Sequence, residues 1–545
     1  MARPRYRQGR RQGARQTTKA TQLPASFKGI NATGALASMQ PDECIYAYNI
    51  LALDFGTTVR QGFSEWANGW TGGPAKTIIA FEGNAGADDK MFVANATGIW
   101  DVTIEGTTSP TQVVAFPSSA GDAGICSTEN FSNDGDARFL LVCDEENGYY
   151  TWTQATNTWA KITQGSGAGQ IKNVDPATFA YVVTWKKRIW FIEKGTGKGW
   201  YLAAGTFTGH ATAFNFADNF RTGGELSMIV NWTLDGGAGL DDYLVALSGS
   251  GDVLIFQGTD PASASTFAMV GAWDIGKPPA GRRFAAEYAG EVYILSMYGL
   301  MPLTQLVNGA KTANPDIYTT RKIAPYIQDI LSTTIDSFGW HIHMHPKQSR
   351  LFINSPPRIS LEQIAFSMYV GHDSWSMIRG LPKAYTINWQ GEVYWIDIER
   401  NKIFKQTGAV DGVYIDPATD GDPEAIEWDV LTAFSTLGEP SIFKRCQYIR
   451  PTFLSGGEVG FTVAARYDYD ISEISGSPIF TSGVSGLWDV GAWDAALWGG
   501  GVFSSDVVRG ANGIGRAVAI NLKGRSSEET TLISYDISWD SGGIM

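Results

Sequence analysis

Long apolar runs, paired cysteines and histidines are all scarce in this 545-residue chain, and each shortage closes off a class of protein. No stretch approaches the roughly 18 consecutive apolar residues that a membrane-spanning helix needs, and the first 20 residues lack the apolar core of a signal peptide. The expectation is a soluble protein, made in a cytoplasm and without stable membrane insertion. Its four cysteines, Cys44, Cys126, Cys143 and Cys446, lie far apart with no C-x-x-C spacing, which argues against a disulfide framework and a zinc site and leaves reduced, partly buried thiols. Charged residues reach only 18%, and long runs of helical periodicity are missing.

What is plentiful points one way. There are 63 glycines, 19 tryptophans, 21 tyrosines and 27 phenylalanines, a mixture that favours twisted strands joined by tight turns. Apolar strands separated by polar or Gly turns recur through the middle of the chain, beginning near residues 92, 139, 181, 243, 284, 350 and 385. Several units close on an aromatic, such as Trp159, Trp200, Trp273 and Trp375. Steps of this size match the roughly 40 to 50 residues of a propeller blade. Residues 76–425 are therefore expected to form a β-propeller of six or seven blades. One stretch breaks the pattern: in TTRKIAPYIQDILSTTI, Ile323, Ile327, Ile330 and Leu331 fall at helical spacing, predicting a short amphipathic helix beside one blade.

Beyond residue 426 the strands lengthen, and in FTVAARYDYD alternation places Phe461, Val463 and Ala465 on one face. Residues 426–545 are expected to form a separate β-sandwich or barrel, making the fold all-β, with residues 23–75 as a strand segment joining that platform. Residues 1–22 form a basic arm. Arg3, Arg5, Arg7, Arg10, Arg11, Arg15 and Lys19 give its first 19 residues a net +7, against −20 for the rest. Such an arm, poor in apolar residues, orders only against a partner, either an acidic protein surface or DNA.

Four features invite a chemical reading. In LALDFGTTVRQGFSEW (51–66), Asp54, Gly56, Thr57 and Thr58 resemble the first phosphate loop of the actin and sugar-kinase superfamily, but that loop needs long helices between its strands and a second phosphate loop, for which 233–240 is the only approximate match. A tight turn is the alternative. In WHIHMHP, His341, His343 and His345 alternate, so a strand would project all three from one face at a spacing compatible with zinc or nickel, with solvent-facing or interface histidines as the other reading. The acids Asp101, Asp144, Asp252, Asp373 and Asp397 fit turn caps better than a glycosidase pair. No catalytic set and no cofactor emerge. The Trp-dense loop GLWDVGAWDAALWGGG carries Trp488, Trp493 and Trp498, suited either to a subunit interface or to a plug inside the C-terminal domain.

A family resemblance rests on the two ends of the chain. Gly29, Ile30, Asn31, Met39, Pro41, Asn49, Gly56, Arg60, Gly62 and Phe63 in the leading segment, with LWDVGAWDAALWGGG, GIGRAVAINLKG and YDISWDSGGIM at the back, resemble the tail nozzle or tail hub proteins of short-tailed bacteriophages, also called packaged-DNA stabilisation or tail tubular proteins. The basic arm departs from the simplest members. The resemblance implies a non-enzymatic virion protein. It would form a homo-oligomeric ring, a hexamer, attached to an adaptor or head-to-tail connector. The ring would contact double-stranded DNA transiently in its lumen and carry fibres or a needle. A net-negative lumen would let DNA slide. A monomeric propeller that binds or cleaves glycans in receptor recognition is the competing class.

Overall fold

Alternating apolar strands joined by Gly-rich turns fold into antiparallel meanders, and seven of these make up the middle of the chain. A computed structural model describes residues 18–475 and 503–542, except 134, 236–239, 264, 310, 359–361, 398, 458 and 506. The chain divides into two compact units, one spanning 48–51 and 60–426, the other containing the described parts of 1–47, 52–59 and 427–545.

The larger unit is a seven-bladed propeller. The inner strands are, in blade order, Ala75–Phe81, Cys126–Ser132, Phe179–Trp185, Leu226–Asp235, Ala285–Tyr288, His341–His345 and Lys383–Trp389. Each packs beside the next, and the seventh packs against the first, so the ring closes. All seven sequence units map one to a blade. Closure leaves no open row of backbone donors and acceptors at the seam. Aromatic side chains fill the wedges between blades: Trp152 of blade two meets Phe81 of blade one edge-on at 4.7 Å, and Trp66, which lies 5.0 Å from Tyr394 and 5.8 Å from Trp389 within blade seven, packs with them in one cluster with Ile78, Met91 and Val93 of blade one. Such pairs add about 0.5–1.5 kcal/mol each beyond their area burial.

Two blades depart from the expected plan. The seventh has only three strands of its own, Lys383–Trp389, Glu392–Asp397 and Lys402–Gln406, and Phe63–Ala67 supplies its outer strand, pairing Phe63 with Gln406 and Ala67 with Ile403. Of the segment 23–75, read from sequence as joining the platform, residues up to 47 and 52–59 lie with the platform unit, while Phe63–Ala67 locks the ring. The fifth blade stops after three strands. Along its edge strand Gly299–Pro302, Leu300 donates its N–H to Thr320 Oγ1 (3.0 Å) and accepts from Thr319 Oγ1 (3.2 Å). The predicted helix follows at Ala324–Thr334, opened by a proline in its first turn, with Ile327, Ile330 and Leu331 buried. A helical insertion does here what a fourth strand does elsewhere.

A blade-level repeat ties each second strand into the next turn. Asn95, Asp144, Ser248, Ser296 and Asp397 end their second strands, and each accepts a backbone N–H from two residues further on. Asp101 does the same for Thr103, and Asp252 accepts from the backbone N–H groups of Arg221 and Thr222. Asp373 sits in a left-handed turn at φ 50°. The acids singled out from sequence are turn devices, as carboxylates accepting backbone N–H groups should be.

The smaller unit is a sandwich of two sheets. In one, the strand Thr530–Ser541 pairs with Lys444–Ser455 along one edge and, end to end along the other, with Thr18–Pro24 and Thr57–Val59. In the other, Gly460–Tyr467 pairs with Val518–Ser526, placing Phe461 opposite Gly524. The sheets meet through Phe453, whose ring lies 5.8 Å from Trp428 and 5.3 Å from Phe461. Gly524 has no room for a side chain, since a Cβ there would sit 2.2 Å from the Trp428 ring.

Candidate functional site

The DFGTT stretch is a turn. Leu53 donates its backbone N–H to the Gly56 carbonyl at 2.9 Å, and Thr57–Val59 leaves as a strand, with no helix N-terminus to hold a phosphate. Gly56 is required there for want of space: a Cβ would lie 2.5 Å from the Leu532 carbonyl oxygen. The second approximate phosphate loop, 233–240, falls partly outside the described residues.

Residues of the leading segment that carry the family resemblance also hold the ring shut. Asn49, at φ 57°, accepts the Arg60 Nε–H at 3.1 Å and the Arg379 N–H at 2.9 Å through its Oδ1. Arg60 then grips Asp411 with both terminal nitrogens, at 2.7 and 2.6 Å, with its side chain only 3% exposed. Gly62 passes so close to the Val410 backbone that a Cβ would lie 1.8 Å from its carbonyl oxygen, and Phe63 is buried against Trp395 and Phe404. These residues position the closing strand.

Of the basic arm, Arg3, Arg5, Arg7, Arg10, Arg11 and Arg15 lie outside the described residues, as do Trp488, Trp493 and Trp498. Lys19 does not belong to a free arm. It lies in the strand Thr18–Pro24, pairs with Glu439 and sits 5.0 Å from the centre of the Trp539 ring. All four cysteines are free and buried, and burial pushes the Cys126 and Cys143 thiols well above their usual range.

His341, His343 and His345 form the inner strand of blade six, and all are buried, so the expectation of solvent-facing or interface imidazoles is overturned. An inner propeller strand faces its neighbouring blades. His341 stacks on Tyr385 of blade seven at 4.5 Å, while His341 and His343 stand 6.1 Å apart ring to ring. Among the described residues no three His, Cys, Asp or Glu side chains converge as a metal group. Burial, reinforced by nearby cations, lowers His343 to about 3 and His345 to about 4. The imidazoles are therefore neutral at physiological pH.

The most distinctive chemistry lies on the propeller axis, where adjacent arginines leading into blade five reach across the ring. Arg282 donates its Nε–H to Glu145 of blade two at 2.7 Å and a second nitrogen to the Leu226 and Ser227 carbonyls. Arg283 donates to the Lys76 carbonyl (3.3 Å) and Thr77 Oγ1 (2.6 Å) of blade one and to the Cys126 carbonyl (3.3 Å) of blade two. Its guanidinium also lies 4.0 Å from the centre of the Tyr385 ring. The two side chains leave a cavity of about 170 Å³, bordered by Cys126, Thr128, Tyr181, His341 and Tyr385. A larger hollow of about 440 Å³ shares Glu145, Arg282 and Phe338 with it. On the blade-two inner strand, burial raises Glu129 to about 7 despite hydrogen bonding from Thr184. In the sequence this arginine pair shows only as a doublet of like charges in PPAGRRF, immediately before an inner strand.

No family model matches the chain, and no curated protein does. Among solved structures, it is similar to the extracellular domain of the hybrid two component system BT3049 from B. thetaiotaomicron (10% identity, TM-score 0.39, 74% of this chain and 50% of that one). It is also similar to Chaetomium thermophilum Raptor (12%, 0.37, 65% and 29%) and to the Myceliophteria thermophila Cps50 (Swd1) β-propeller domain (11%, 0.34, 63% and 98%). The chain spans half or less of the first two. The propeller assignment rests on the closed ring of seven blades.

Proposed function

We propose that this chain is a structural subunit of the tail of a short-tailed bacteriophage, a nozzle or hub ring that extends the portal–adaptor channel. In this reading it helps retain packaged DNA, conducts it during ejection and anchors fibres or a needle. The observation that carries the proposal is the meeting of the chain's two ends. The segments bearing the resemblance are hundreds of residues apart, yet Thr57–Val59 of the leading one pairs with the closing strand Thr530–Ser541, as does Thr18–Pro24 ahead of it. A platform stitched from both ends, with a propeller inserted between them, suits a subunit whose ends build a ring.

DNA would run through the ring of subunits rather than through each propeller, whose axis Arg282 and Arg283 fill. The sandwich unit exposes Phe55, Tyr448, Tyr469, Ile471, Val508 and Ile514, apolar area suited to contact between copies. Arg3, Arg5, Arg7, Arg10, Arg11 and Arg15 would clamp an acidic adaptor surface or trapped DNA, with Lys19 fixing the base of the arm.

Light scattering on the eluting protein tests the assembly. A ring alone, or a ring formed on adding the adaptor, is expected; a monomer that ignores the adaptor and binds host glycans would overturn the proposal in favour of a receptor-recognition propeller. Removing residues 2–16 should abolish docking onto adaptor-loaded particles or release their DNA. Normal docking and retention would remove the arm from the mechanism.

A further inference from the structure

The pairing around the axis leaves one charge over. Arg282 has Glu145 as its counter-ion, but the partners of Arg283 are two backbone carbonyls, one hydroxyl and the face of Tyr385, all neutral. Arg283 is half-buried and shares the single Glu145 charge with Arg282, so two guanidinium groups stand against one carboxylate. The same cavity is bordered by His341, 8% exposed, whose Nδ1 has no hydrogen-bond partner. A buried ring nitrogen left unpaired forfeits the hydrogen bond it would make in water. One guanidinium whose nearest carboxylate, Glu145, is already held by Arg282 and one ring nitrogen without a partner thus border the same cavity of about 170 Å³.

We propose that the axis cavity of the propeller binds a small carboxylate, gripped by the Arg283 guanidinium and by the Nδ1–H of His341. With Nη2 held by Thr77 and Cys126, Arg283 meets the carboxylate through a remaining N–H of Nη1, a charge-assisted hydrogen bond stronger than a neutral one. At about 30 Å³ per water, the cavity has room for roughly five waters, or for a short carboxylate in their place. The larger hollow adjoins it, sharing the Arg282–Glu145 pair and Phe338. Cys126, with its thiol held protonated by burial, adds no negative charge to repel the ligand. This inference does not depend on the tail reading: a ring-forming protein and a monomer would both carry the site.

Isothermal titration of the full chain with sodium acetate and sodium succinate tests it, with sodium sulfate and sodium chloride at matched ionic strength as the other arms. Saturable one-to-one binding of a carboxylate is expected. His341→Phe, which keeps a ring against Tyr385 but removes the N–H, should weaken binding at least tenfold with an unchanged circular dichroism spectrum. Arg283→Lys should weaken it further. No saturable binding, saturation by sulfate alone, or a His341→Phe variant that binds as wild type would each overturn the proposal. Should Arg283→Lys fail to fold, the His341→Phe comparison decides.

Discussion

The propeller and the sandwich spend the same kind of residue on opposite kinds of contact. Within most blades, each strand pairs with one a few residues away, so that Trp185 and Arg188 face each other across a turn. In the sandwich the governing pairs are remote: Thr18 lies opposite Asp540, and Thr57 opposite Leu532. The propeller's comparable long-range joints lie near the seam: Tyr48 pairs with Met377 of blade six, and Phe63–Ala67 completes blade seven under the grip of Arg60 on Asp411. Local hairpins can form early and cheaply, whereas remote pairings must first meet the entropy of closing a long loop. Two regions of similar composition therefore have different points of weakness.

That contrast can be broken deliberately. Arg60→Ala should have the largest effect, about 3–5 kcal/mol, because it strands Asp411 at a buried pair. Hydrogen exchange should accelerate in Phe63–Ala67 and blade seven while Thr530–Ser541 keeps its protection; uniform acceleration would show that the two units unfold as one. His343 should shape the acid limb. Its imidazole binds fewer protons folded than unfolded, so stability present above the unfolded pKa of about 6.5 is lost as pH falls toward about 3. Between pH 6.5 and 4 the loss is about 3 kcal/mol, and His343→Leu should flatten that limb in denaturant titrations across pH. Gly56→Ala should cost least, about 1–3 kcal/mol, by forcing a Cβ against the Leu532 carbonyl. Its faster exchange should be confined to the sandwich strands, the mirror image of the Arg60 result.

Features governed by neighbouring residues were legible in the sequence. Seven hairpin units became seven blades, the helix appeared around Ile327, Ile330 and Leu331, and the acids marked turns. The closing strand was not legible, since nothing in FSEWA names a partner more than 330 residues away. Histidine alternation correctly gave a strand but not its surroundings, because periodicity reports which side chains share a face and not what packs over them. Arg282 and Arg283 escaped because their meaning comes from four other blades gathered around one axis. At Gly56 the turn was readable, while the reason for glycine lay in a strand at the other end of the chain.

The strand Phe63–Ala67 also sets a timetable. It leaves the ribosome before any blade exists, yet its partner Lys402–Gln406 is among the last parts of the ring to be made. At about 5–20 residues per second, the first strand waits roughly twenty seconds to a minute for its place. During that interval the nascent ring is an open arc with two unpaired edges, and a neighbouring nascent chain on the same message carries the same strand in the same waiting state. Synthesis rate thus becomes a determinant of whether each ring closes on its own strand or on another's.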